Sequence, residues 1–390
     1  MKKTIAVFGA VLASLTIFSG CGETEEFSTQ GKYFFAMNAE ATLVVSDKFT
    51  PEKQNDFSRL CGDITSTLTA LDGSLSSNDK SNSSISRFNC AAAGERVEID
   101  FTAYSVLTLA KSVYRLTEGY YNPAVYYNVQ AYGFNEATDI SKPPEQRIPS
   151  DAVVEKYNRL SQSFGEIQLV EEDNKYYAVK PTATVEVDGV TCSMKIDLGG
   201  IGKGYAVDEI NKLIDSYGFK YGYLSFGTSS ILVKEHYVNG SYSLGFTNPR
   251  DDAQSNIYVS TFVKSECLST SGDYEQFFIY DSDNDGVKER YCHVFDPTTG
   301  RPVQTGIMSA TVIGGSAAED DALTTAIMAM GKEKAVEFIN EKLSARKVVF
   351  CYDNNGKYEV ITNIPESEIK IMHDKFEIVN TVSDGKIVLG

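Results

Sequence analysis

The residues of this chain that could do chemistry sit in a few short stretches. Asp197-Leu198-Gly199-Gly200-Ile201-Gly202-Lys203-Gly204-Tyr205 sets several glycines at the start of a helical pattern. Bare backbone lets amide groups approach a phosphate closely, and a helix N-terminus favours an anion. Lys203 adds a point charge, although the same run also reads as a plain tight turn. It is neither a Walker loop nor a GxGxxG fingerprint. Leu268-Ser269-Thr270-Ser271-Gly272-Asp273-Tyr274 offers hydroxyls, Ser271 among them, that suit phosphate oxygens or a strand end. His293 opens His293-Val294-Phe295-Asp296-Pro297-Thr298-Thr299-Gly300-Arg301-Pro302 and is one of only three histidines. It is open to acid–base work near neutral pH, or is a strand-end residue before a turn. In Asp320-Asp321-Ala322-Leu323-Thr324-Thr325, a helix puts Asp321 and Thr325 on one face. That pair of hard oxygens suits Mg2+; the alternative is a capped helix start.

One further stretch, Asp281-Ser282-Asp283-Asn284-Asp285-Gly286, matches the opening of an EF-hand loop. Cys292 stands where the bidentate Glu belongs, and strand-like residues flank the run. It reads as an acidic hairpin turn.

These stretches need elements to hold them. A strand is expected over Tyr33 to Val45. Leu60, Ile64, Leu68 and Leu71 recur at helical spacing after Pro51, which suits a first turn. Asp72 to Asn89 is rich in Ser and Asn and reads as a loop. Val106, Leu107, Ala110 and Val113 mark a second helix, and Val154, Tyr157, Leu160 and Phe164 a third. Alternating segments at 166–170, 176–179 and 184–187 read as strands. A helix follows the Gly-rich run through Ala206, Ile210, Leu213 and Ile214, with Gly218 as its stop. Strand-like runs span 223–278, Asp321 to Met330 is helical, and Arg346 to Tyr352 is a late strand. The mixture, with no internal repeat, points to one α+β unit.

Composition narrows the class. Apolar residues make up 42% and charged residues 23%, as in a soluble globular domain. A net charge of -17 argues against nonspecific nucleic-acid binding, which needs a basic face. Lys2 and Lys3 precede a short apolar run, Thr4 to Phe18, in the manner of a secretory signal. Phe18-Ser19-Gly20-Cys21 resembles a bacterial lipobox. That resemblance implies a signal over residues 1–20, a lipidated tether over 21–31 attached through Cys21, and one domain over 32–390. It places the protein on the extracytoplasmic face of a membrane. The remaining six cysteines lack a CxxC pair and read mostly as buried free thiols.

In order and spacing the motifs together resemble the ApbE family of FAD:protein FMN transferases. The run Asp197 to Asp208, then Thr270-Ser271-Gly272-Asp273-Tyr274, then His293 to Pro302, then Asp321 to Ala326 carries the likeness, which extends from Phe35-Ala36-Met37 to about Gly331. It implies a T-fold-like α+β domain with a flavin site between two lobes. It also implies Mg2+-dependent transfer of FMN from FAD to a threonine hydroxyl of acceptor proteins, with AMP leaving. Carried over by motif, the Gly200 carbonyl, Asp321 and Thr325 would hold Mg2+. Asp197, Lys203 and Ser271 would contact FAD, and Met37 would line the flavin site. Tyr120-Tyr121-Asn122 would border the flavin, and His293 would serve as general base or phosphate ligand.

The chain departs from the family pattern at Asn38-Ala39 after Met37, at Asn122 in place of Asp, and at Gly227-Thr228-Ser229. Asn78, in the Ser-rich loop, falls near a position that is Tyr in many transferases and Asn in some hydrolysing members. The competing readings are therefore an FAD pyrophosphatase, with water replacing threonine, and a flavin-binding lipoprotein without catalysis.

Overall fold

The computed structural model describes residues 26–134, 142–250 and 256–389. Cys21 and the signal-like segment lie outside them. The fold is α+β. Its helices are α1 (Pro51–Leu75), α2 (Ser84–Cys90), α3 (Phe101–Leu116), α4 (Tyr126–Ala131), α5 (Asp151–Ser161), α6 (Gly199–Ser216), α7 (Ala317–Met330) and α8 (Lys332–Lys342).

A nine-stranded sheet forms the centre. Its order is Ser28–Ala36, Ala39–Asp47, Tyr221–Phe226, Ser230–Val233, Glu266–Gly272, Ile307–Ile313, Lys347–Asn354, Lys357–Thr362 and Phe376–Ile378. Neighbours are antiparallel except the last pair. Side chains alternate across the sheet with period two. Leu224, Leu232, Val312, Val348 and Phe350 pack with the buried sides of α1, α3, α6 and α7. Val233, Leu268, Met308, Val349 and Cys351 pack on the other face. There they meet Phe246, Tyr258 and Ile369 of a three-stranded sheet, Tyr242–Thr247, Ile257–Val263 and Ile369–Ile371. Ile307–Ile313 is buried along its whole length because both faces are covered. That is why apolar residues stand on both of its faces, with only Ser309 and Thr311 polar.

The expected strand over Tyr33 to Val45 is two strands. Met37 and Asn38 take φ of 50° and 56°, and the chain folds back between Ala36 and Ala39. Positive φ at both central residues is the geometry of a tight two-residue hairpin. Residues 28–31, expected as tether, pair with Val44 to Asp47 and belong to the sheet.

The expected loop over 72–89 is also corrected. α1 continues to Leu75, and α2 occupies Ser84–Cys90. Ser83 caps α2 by accepting the Ser86 N–H at 2.9 Å, so serines that argued for a loop start a helix instead. α7 begins at Ala317, with Ser316 as its cap. Asp321 is thus in the second turn, and helix capping does not account for it.

Phe277–Tyr280 and Glu289–Cys292 pair across the Asp281–Gly286 turn, as a hairpin requires. Cys192, Cys267, Cys292 and Cys351 are buried free thiols, Cys61 is half-buried and Cys90 is exposed. Among the described residues no helix is long and apolar enough to cross a membrane.

Candidate functional site

The site grows from the crossing of α6 and α7. A Cβ on Gly204 would lie 2.2 Å from the Ala317 carbonyl oxygen, so only glycine lets the two backbones meet here. One turn further along α6, Asp208 accepts the Ala317 and Ala318 N–H groups at 2.8 and 3.0 Å. These are two of the amides that a helix start leaves without internal partners. Burial raises the Asp208 pKa, opposed by these same amides. Asp208 and Gly204 together fix the register of one helix on the other.

That register brings the first two turns of α6 to Asp321 and Thr325 of α7. Asp321 is 3% exposed, and its carboxylate accepts the Gly204 N–H at 3.3 Å. Burial raises its pKa; Lys203 and the Gly204 amide pull the other way. The neighbouring Asp320 has different work: it meets Arg346 and accepts the Gly315 N–H. Gly200 leaves helical geometry (φ -88°, ψ 18°). A Cβ there would sit 3.3 Å from Thr325 Oγ1 and 3.7 Å from the Tyr121 ring. Thr325 and Thr324 share the Asp321 carbonyl, and the Ser271 hydroxyl lies 2.9 Å from Thr324 Oγ1 and 3.5 Å from Thr325 Oγ1. Met37, at the hairpin tip, packs on Gly202, where a Cβ would come within 2.9 Å of the Met37 methyl.

Asp197 shapes the entrance of α6. One carboxylate oxygen accepts the Gly199 N–H at 2.7 Å and the other the Ser77 hydroxyl at 2.5 Å. Lys203 folds back to donate to the Gly199 carbonyl at 3.0 Å. Its charge reaches both Asp321 and His293.

His293 keeps some exposed surface, but its Nδ1 is sealed and without a hydrogen-bond partner. Burial, then Lys203, lowers its pKa to about 4. The expectation of a histidine titrating near neutrality is therefore corrected: the ring is neutral at pH 7. Asp296 does not orient it either. The Asp296 carboxylate is engaged by Thr298 and Thr299 in its own turn. The Tyr121 hydroxyl is likewise buried and unpartnered. Its pKa is raised well above normal by burial, then by Asp321 and Asp197.

The remaining expected residues lie at the margin. Asn122 caps the short turn Pro123–Val125 through Ala124 N–H and donates to the Ser161 carbonyl, so its amide serves the fold. Tyr120 is half-buried under the Lys334 ammonium. Asn78 is exposed, on a loop pinned to the α6 entrance on either side of it by Ser77–Asp197 and Asp79–Lys195.

The oxygen donors suit a divalent cation. Asp321 is a buried carboxylate whose desolvation a cation would offset; Thr325 lies one turn further along α7, and Ser271 and the kinked Gly200 adjoin Thr325.

The ApbE family profile matches residues 37–350. The chain belongs to the ApbE family. A relative from Vibrio cholerae, named FAD:protein FMN transferase, is 26% identical over 340 residues, covering 83% of this chain and 88% of its own. Another of that name, from Rhodobacter capsulatus, is 30% identical over 242 residues, covering 62% and 41%. Among solved structures, the flavin transferase ApbE from Vibrio cholerae superposes with a TM-score of 0.67 at 21% identity, covering 86% of this chain and 97% of that one. The ApbE protein from Thermotoga maritima gives 0.66 at 26%, covering 83% and 94%.

Within this ApbE domain, Asp208, Ser77 and Thr324 were not expected from sequence. Asp208 carried one signal: an acidic residue two helical turns beyond Gly200, set between the apolar positions Val207 and Ile210 of a packed helix, has to find donors.

Proposed function

We propose that this chain is an FAD:protein FMN transferase that uses Mg2+ and modifies a threonine of its acceptors. The observation that carries the reading is the buried Asp321 carboxylate facing Gly204 in the glycine-rich start of α6. Flavin transfer is the activity in the names of the matched relatives.

Asp321, Thr325 and the Gly200 carbonyl would hold Mg2+, with room left for water and phosphate oxygens. When bound, the ion offsets charge on the diphosphate. The α6 N-terminus and Lys203 add positive potential on the same side. In the reaction the acceptor oxygen bonds to the FMN-side phosphorus. The phosphoanhydride bond breaks, AMP leaves with the electron pair, and the hydroxyl proton goes to a base. We assign that base to His293, whose ring is neutral and keeps some exposed surface beside Lys203. An anionic diphosphate nearby would raise its pKa from about 4 toward the working range. Asp321 is the alternative acceptor, in which case it does not also hold the ion.

Incubation with FAD, Mg2+ and a threonine-containing acceptor peptide tests the reading. Flavin-labelled peptide plus AMP supports it. Free FMN plus AMP makes the protein a pyrophosphatase, and neither product makes it a flavin binder. The proposed setting is the extracytoplasmic face of a membrane, anchored through Cys21, where exported redox proteins would be the acceptors.

A further inference from the structure

Tyr121 is 3% exposed, yet its hydroxyl has no hydrogen-bond partner. Buried polar groups are nearly always satisfied, so an orphan beside a site calls for an explanation. The residue is held firmly: its N–H donates to Thr117 Oγ1 at 3.0 Å, and its ring rests beside Gly200, with no Cβ to keep it off. Asp321 and Asp197 are both near enough to act on the phenol electrostatically, and neither accepts from it. Asp197 is taken up by Gly199 and Ser77, and Asp321 accepts from Gly204. What the site lacks is an acceptor for one more donor. The surrounding positive features, the α6 N-terminus and Lys203, favour an anion there.

We propose that Tyr121 is a phosphate-positioning residue, its hydroxyl donating to an oxygen of the substrate diphosphate or to water bound with it. This rests on the FAD reading of the site and names a contact that fixes the diphosphate against Gly200. Tyr121→Phe removes one oxygen and keeps the ring. FAD binding in Mg2+ without acceptor, followed by flavin fluorescence, should weaken roughly tenfold or more, as for a lost hydrogen bond to a charged group. Riboflavin, which has no phosphate, should bind both proteins alike. The melting temperature of the ligand-free variant should be equal or higher, because an unpartnered buried group has gone. Equal FAD affinity overturns the proposal. So does an equal loss of riboflavin binding, which puts the hydroxyl on the ring system. A lower melting temperature also overturns it, since the hydroxyl then has a structural partner. A wild-type protein that binds no FAD refutes the underlying reading instead.

Discussion

Gly204→Ala is the sharpest test of how the site is assembled. The new Cβ would meet Ala317 O at 2.2 Å, Ala317 C at 2.5 Å and Ala318 Cα at 2.7 Å, against ordinary contacts of 3.4–4 Å. All three are backbone atoms, so no side chain can swing away. α6 and α7 must part by roughly 1 Å in an interior that is close-packed. Overpacking of this kind costs about 1–3 kcal/mol, partly offset by the ~0.5–1 kcal/mol that Ala gains over Gly in a helix. For a chain this long that lowers the melting temperature by only a few degrees. Activity should suffer more. The shift separates Gly200 and Lys203 on α6 from Asp321 and Thr325 on α7, and a misplacement of about 1 Å can cost ~10²-fold in rate. The assay is AMP release from FAD beside a thermal melt, with Gly62→Ala in α1 as control. A Cβ at Gly62 meets nothing within 4 Å, so that variant should be as stable as wild type or more so, and fully active. Wild-type AMP release by Gly204→Ala would refute the claim that this crossing sets the site.

Three other outcomes follow from the same arrangement. Asp321→Ala should abolish Mg2+-dependent AMP release while the melt remains cooperative; full turnover of that variant in EDTA would exclude the assignment. The folded pKa of His293, about 4 against 6.5 free, means the folded state binds fewer protons. Its contribution to stability is complete above pH 6.5 and is lost as pH falls toward 4, so melting temperatures of His293→Gln should fall less than wild type over that range, and parallel profiles would remove His293 as the cause. Cys21→Ser should release the protein from membranes and abolish acyl labelling; labelling that persists in the variant would show that Cys21 is not the acylated residue.

The elements that hold the site were largely readable. Apolar spacing marked α1 and α3, and glycines followed by Ala206, Ile210 and Ile214 marked α6. The hairpin at Met37-Asn38 was not, because Met rarely takes positive φ and no Asn-Gly pair announced the turn. α2 was hidden because serine favours loops and helix caps alike, and only Ser83 bonding to Ser86 decides between them. Asp321, Thr325, Gly200, Ser271 and Met37, drawn from separate motifs, lie around the crossing of α6 and α7. The motifs chose Asp321 over Asp320 by its spacing to Thr325, but gave no role for Asp320, whose partner Arg346 arrives from another part of the chain. Nor could they foresee the low pKa of His293, which is a matter of burial and of Lys203 across the site.

The strand Ser28–Ala36 enters the sheet at one end and delivers Met37 to the chemistry at the other. Nine residues at ~3.3 Å each make a rod of about 30 Å, paired along its full length with Ala39–Asp47. With the proposed anchor at Cys21, this rod would act as a ruler: the stretch from its first residue to the site is set by hydrogen-bonded backbone. Only the chain before it can be made longer or shorter. The choice of acceptors by height above the membrane could then change through insertions ahead of Ser28, with every reacting group left untouched.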